Sequence, residues 1–336
     1  MHVGKSYRLT EFLDWTRRRA YILLVLGLAP IAAYQLLDWR WLALPWPIAV
    51  LLGTATSFIV GFKNAQTYNR TVEAQQVWTS IAVVSRYWAL ICRDFPKDRR
   101  ELPTLLRRHP AWLTALRYQA RDRRVWETSS SWSNEEYRRR NFTVPEHETP
   151  LESELRKHLT EDELTHVLAV ENKPAWLIGM QSDAIRQLYT DQDIVVLHHT
   201  EMEKTLKDLL DQQGRVERIK NFPYPRQYAV INSIFVWCFA ALLPLTLVRE
   251  FDRLNEVVSG PLAGQMAWLA APFAAFVAWL YAALDQVGAS TENPFEGSAN
   301  DVPITRMCRQ LENEFLGFLG DLRPKPLPAP DGHIVL

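Results

Sequence analysis

The strongest constraint on this chain is where its charges are missing. Four windows, 22–37, 42–62, 227–248 and 263–284, contain no Asp, Glu, Lys or Arg, although together they hold 81 of the 336 residues. All 76 charged residues lie in the other 255. Such segregation is expected when the bilayer is one of the two solvents the chain meets. The total itself is balanced, 38 Lys+Arg against 38 Asp+Glu, which disfavours nucleic-acid binding through bulk positive charge. A hydrophobic fraction of 48% excludes a disordered chain.

A spanning helix needs about 20 residues, and the second, third and fourth windows reach that length directly. The first has 16 residues and spans if Ala20 and Tyr21 are added, with Arg19 and Trp39 reaching the interfaces. Windows one and two are joined only by Asp38 to Trp41, and windows three and four by Arg249 to Leu262. Both connections are too short for a domain, so the segment 63–226 lies on the same side as both termini. Within about 20 residues of the membrane ends, twelve Lys/Arg fall on that side and three, Arg40, Arg249 and Arg253, in the short loops. The larger side is therefore cytoplasmic, and the chain is placed in the cell's inner (plasma) membrane.

The fold class expected is all-α. It comprises a cytosolic N-terminal segment (1–21), membrane helices 1 and 2 (22–62), a cytosolic helical region (63–226), membrane helices 3 and 4 (227–284) and a cytosolic C-terminal segment with an extended tail (285–336). No Gly or Pro occurs between Lys63 and Phe95, so the second membrane helix continues into the cytosol without a stop. Further helix breaks are expected at Pro96, Pro103, Pro110, Ser129–Ser133, Pro145, Pro150 and Lys173–Pro174. Residues 97–140 carry twelve basic and six acidic groups, and 141–171 two basic and eight acidic. These blocks read as a surface whose charges pair within or between subunits.

Enzyme chemistry has no recognisable foothold: no P-loop, G-x-G-x-x-G, H-E-x-x-H or G-x-S-x-G occurs. Cys92, Cys238 and Cys308 are widely spaced, and no Cys/His cluster encodes a metal site. His198-His199 reads as a surface or interface pair rather than a metal site. The charge-free windows argue against an ion-coupled transporter, whereas a channel can gate at an apolar constriction by dewetting. In the second window Thr54, Phe58 and Phe62 recur at i, i+4, i+8 on one face, with Gly53, Ala55 and Ser57 small enough for close helix contact. Packed helices show the same spacing, so aromatics facing lipid or neighbouring helices are the plainer reading.

Gly61-Phe-Lys-Asn64, Tyr68-Asn-Arg70, Glu73-Ala74 and Val77-Trp78 resemble the bacterial bestrophin signature after the second membrane helix. Glu292-Asn-Pro-Phe295 with Asn300-Asp-Val-Pro303 resembles that family's N-P-F…N-D-x-P segment, and Glu217-Arg-Ile219, Pro223, Pro225 and the closing Asp331-Gly332 fit it too. The resemblance implies a homopentameric, passive channel for small monovalent ions, with the lipid bilayer and further copies of itself as its partners. It implies an apolar neck at Thr54, Phe58 and Phe62 and a second, cytosolic aperture. Counting back from Pro225 puts that aperture at Leu197, while the Asp193-Ile194 pattern puts it at Ile194.

Departures from the pattern matter. Thr54 sets a hydroxyl where an aliphatic is usual, and Thr71-Val72 replaces aromatics. Of the animal members' calcium clasp only Asn293 and Asp301 have counterparts, and calcium wants six to eight oxygens, so calcium is not expected as a cofactor. Animal members pass chloride, and some bacterial relatives favour cations, so ion sign stays open. The alternative is a non-conducting scaffold or receptor that binds a cytosolic partner.

Overall fold

A helix of 49 residues organises the structure. In the computed structural model, which describes residues 1–336 except 6, 260, 262 and 322, the second helix runs unbroken from Trp46 to Asp94. At 1.5 Å per residue it is about 73 Å long, more than twice a hydrocarbon core of about 30 Å. It starts at Pro45-Trp46-Pro47, where a missing N–H is harmless, and it ends one residue before Phe95-Pro96. Its buried residues Ala49, Gly53, Thr56, Val60, Lys63 and Thr67 alternate steps of four and three. That is the seam of a helix packed along one side.

The described residues form twelve α-helices: α1 Leu9–Leu36, α2 Trp46–Asp94, α3 Leu102–Arg121, α4 Trp132–Asn141, α5 Pro145–Glu148, α6 Leu151–Leu155, α7 Glu161–Ala169, α8 Lys173–Thr190, α9 Val196–Asn221, α10 Arg226–Asp252, α11 Ala270–Ser290 and α12 Ile304–Phe318. Four are long and apolar enough to cross a membrane: α1, the first part of α2, α10 and α11. They pack into one bundle in which α11 touches α1, α2 and α10. Its contact stripe, Ala270, Ala271, Ala274, Ala278 and Ala282, is buried, and small residues let the backbones approach.

The remaining helices share a second core with the far half of α2. Trp78, Trp88, Trp112, Phe295 and Phe315 are its largest buried rings. Phe295 meets Trp78 edge to face at 6.4 Å. The basic and acidic blocks pair inside the chain: Arg108 Nη2 lies 2.6 Å from Glu163 Oε1 and Arg117 Nε 3.2 Å from Glu146 Oε1.

Three details depart from the sequence expectations. Helix α1 begins at Leu9, well before the apolar window, because Leu9–Arg19 continues the same helix below it. Residues 263–265 of the fourth window are not helical. Pro110 does not break α3. It sits inside that helix, whose residues His109 to Arg117 are all buried, and packing on every side outweighs the cost of about 3 kcal/mol for an interior proline. Pro103, Pro145 and Pro174 do mark helix starts, as the sequence implies.

Candidate pore

The seam of α2 leaves an opposite face uncovered within the chain. Thr54, Phe58 and Phe62 lie on it; Phe58 is 77% exposed and Phe62 50%. Spacing of four residues holds the three within an arc of about 80°. Leu51, 77% exposed, extends this face outward by one turn, three residues before Thr54. Thr54 Oγ1 donates to Val50 O at 2.8 Å. Its proton is thus taken by its own helix, and only oxygen lone pairs remain for the outside. Beyond Phe62 the exposed face carries Gln66, Asn69, Gln76 and Thr79. Glu73 is the only acidic residue between Trp46 and Arg93, and Arg218 forms an ion pair with it.

The two aperture candidates separate cleanly. Ile194 is 3% exposed and belongs to the core around Trp88 and Trp112, so it is not free to line an opening. Leu197, in the first turn of α9, is 76% exposed, flanked by exposed Val195 and Val196. Register alone could not separate them, because Ile194 lies in the bend before α9 and Leu197 in its first turn, and burial depends on what packs there. The neighbouring His198 stacks on Phe95 at 4.1 Å, and His199 lies 5.0 Å from Tyr189.

Where α2 leaves the bundle, a buried charged cluster joins all four apolar helices. Lys63 Nζ of α2 donates to Asp285 Oδ1 of α11 at 2.9 Å. Asn232 Nδ2 of α10 donates to the same oxygen at 2.5 Å, and Arg19 Nη1 of α1 donates to Asp285 Oδ2 at 3.1 Å and Ala282 O at 2.6 Å. Lys63 and Asp285 are each the first charged residue after a charge-free window.

Just beyond, the sequence motifs converge. Arg70 Nε donates to Glu292 O at 3.0 Å, and its Nη2 donates to Ile219 O at 3.2 Å and Phe222 O at 3.0 Å. One guanidinium therefore ties Tyr68-Asn-Arg70, Glu217-Arg-Ile219 and Glu292-Asn-Pro-Phe295 together. Glu292 is itself held by Arg226 Nη1 at 2.8 Å.

Asp301 closes the loop that follows. Its Oδ1 accepts from Phe295 N at 2.8 Å and Val302 N at 2.7 Å, and its Oδ2 accepts from Gly297 N at 2.8 Å and from Arg121. These bonds hold Phe295 and Gly297 at φ of 76° and 81°. A carboxylate saturated by four donors has no lone pairs to offer a cation, so Asp301 does not fit a calcium clasp, and Asn293 beside it is buried. Glu296, in the same loop, accepts from Thr128 N at 2.9 Å and Ser129 N at 3.2 Å. Burial outweighs these bonds and pushes its pKa up to about 8.

A model of the bacterial/fungal bestrophin protein family matches residues 17–316. The voltage-dependent anion channel-forming protein YneE of Salmonella typhi is 23% identical over 268 residues, 79% of this chain and 74% of that protein. The voltage-dependent anion channel-forming protein RSc3414 of Ralstonia nicotianae is 24% identical over 277 residues, 81% and 76% of the two chains. The crystal structure of a bacterial bestrophin homologue from Klebsiella pneumoniae superimposes with a TM-score of 0.75 at 21% identity, covering 91% of this chain and 99% of the other.

Proposed function

The chain belongs to the bacterial and fungal bestrophin family, and from that premise we propose that it is a passive anion channel, a homopentamer with one axial pore. The observation that carries this reading is the uncovered face of α2. A helix packed tightly along one side presents Thr54, Phe58 and Phe62 on the other, where a ring of copies would form an apolar neck that gates by dewetting. Leu197 is the residue proposed for the second constriction. The four apolar helices span the inner membrane with both termini in the cytoplasm.

Anion preference is supported by charge along α2. The one carboxylate on its pore-ward length, Glu73, is neutralised by Arg218, and the exposed amides of Gln66, Asn69 and Gln76 below the neck offer N–H donors. Phe edges carry partial positive charge.

The test is reconstitution in planar bilayers under asymmetric NaCl. Currents whose reversal potential lies toward the chloride equilibrium value support the proposal. A reversal toward sodium overturns anion preference, and a well-folded oligomer without current favours the scaffold reading.

A further inference from the structure

A cavity of about 120 Å³ opens where the start of α1, helix α4 and the loop 297–300 meet. It is distinct from the face of α2 described above. Five aromatic rings, Tyr7, Phe12, Trp15, Tyr137 and Phe142, line it, with Asn134, Asn300 and three serines among the rest of its wall. Tyr7 stacks on Tyr137 at 6.4 Å, and Phe12 and Trp15 lie 6.1 Å apart. One cation, Arg138, lines the cavity, and no Asp or Glu does.

Arg138 differs from its neighbours on α4. Arg139 pairs with Glu135 at 2.7 Å, and Arg140 pairs with Glu136 at 2.7 Å and Asp14 at 3.1 Å. Among the described residues Arg138 makes no ion pair and no side-chain hydrogen bond. Partial burial and then the nearby Arg123 press its pKa downward, against a smaller upward pull from Glu135 and Glu148. An arginine in the wall of a cavity that no acid lines is complementary to a ligand with one carboxylate and a hydrophobic body.

Size narrows the class. An apolar cavity of about 150 Å³ holds benzene, so this one, open on one side, takes a single ring with its polar group at the mouth. A single cation suits a monoanion better than a phosphate dianion. We propose that this cavity is a binding site for a small aromatic monocarboxylate, its ring between the aromatic walls and its carboxylate on Arg138. An occupant would bridge α1, α4 and the loop after α11, and would therefore raise the stability of the folded channel.

The probe is sodium benzoate, with neutral benzamide as its isostere, titrated into the purified full chain in detergent by calorimetry and followed by thermal unfolding. Benzoate should bind saturably and raise the unfolding midpoint, with benzamide weaker by about tenfold, the worth of one charge-assisted pair. Arg138→Gln should remove that preference, and Arg138→Lys should keep part of it. Absence of saturable benzoate binding, equal binding of the two probes, or undiminished binding by Arg138→Gln overturns the proposal. If Arg138→Gln does not fold, the comparison of the two probes on the unaltered chain decides.

Discussion

Lys63 Nζ lies 2.9 Å from Asp285 Oδ1, with each side chain at most 6% exposed. The pair sits where α2 leaves the apolar bundle, and Asp285 also collects Arg19 and Asn232. One carboxylate thus fixes the relative positions of α1, α2, α10 and α11 at the base of the candidate neck.

Removing one partner leaves the other charge buried and uncompensated. Asp285→Ala should lower unfolding free energy by about 3–5 kcal/mol, read from the thermal or denaturant unfolding of detergent-purified protein. Lys63→Met combined with Asp285→Leu should lose much less, because neither charge remains. Equal losses would show that the pair contributes no more than packing volume.

The contact between α2 and α11 next to this pair depends on a glycine. A Cβ on Gly288 would overlap Asn64 Oδ1 and lie 3.6 Å from Lys63 Cε. Gly288→Ala should therefore push the Asn64 amide aside and destabilise by about 1 kcal/mol, the low end of overpacking costs. Gly61→Ala, with nothing within 4 Å of its new Cβ, should be neutral or gain about 0.5–1 kcal/mol of helix propensity. Melting curves of the two variants make the comparison.

The neck makes a prediction about current. Phe58→Ala with Phe62→Ala replaces two large exposed rings and should raise conductance several-fold by wetting the constriction, measured on single channels. Unaltered currents would remove these residues from the conduction path.

Stability should depend on pH through Glu296. Its folded pKa of about 8 lies above the ordinary 4.5, so between those values the folded state holds a proton that the unfolded chain releases. Its contribution is greatest below about pH 4.5 and is lost as pH rises towards 8. The protonated form also fits its surroundings. Thr128 Oγ1 has two acceptors in reach, Ala289 O at 3.1 Å and Glu296 Oε1 at 2.9 Å, but one proton. A neutral Glu296 can donate to that hydroxyl, which then donates to Ala289. Glu296→Gln should flatten this component of the profile, seen as a difference between the two melting curves from pH 5 to 8.

Calcium should not act through the 293–301 loop. Asp301 has its oxygens occupied by three backbone amides and Arg121, so millimolar calcium or a chelator should leave the unfolding midpoint unchanged. Asp301→Ala should lower it.

Much of the architecture was legible because it follows from solvent. Charge-free windows identify the four apolar helices, and the absence of Gly and Pro after Lys63 predicts the length of α2 that the structure has. The i, i+4 spacing puts Thr54, Phe58 and Phe62 on one face with no further information. The prolines were legible only in part. Pro103, Pro145 and Pro174 occupy helix starts, but Pro110 lies inside α3, where burial overrides local preference.

The sequence by itself determined which segments avoid water and which residues share a helix face, since hydropathy and helical period act along the chain. Tertiary structure alone decided the rest, because it depends on residues far apart in sequence. Lys63 and Asp285, 222 positions apart, become a buried pair only when α2 packs on α11. Ile194, in the bend before α9, enters the core while Leu197, in that helix's first turn, stays outside, since only the first is packed against distant helices. Asp301, an acid at a clasp position, becomes a loop anchor because Arg121 and three amides reach it first.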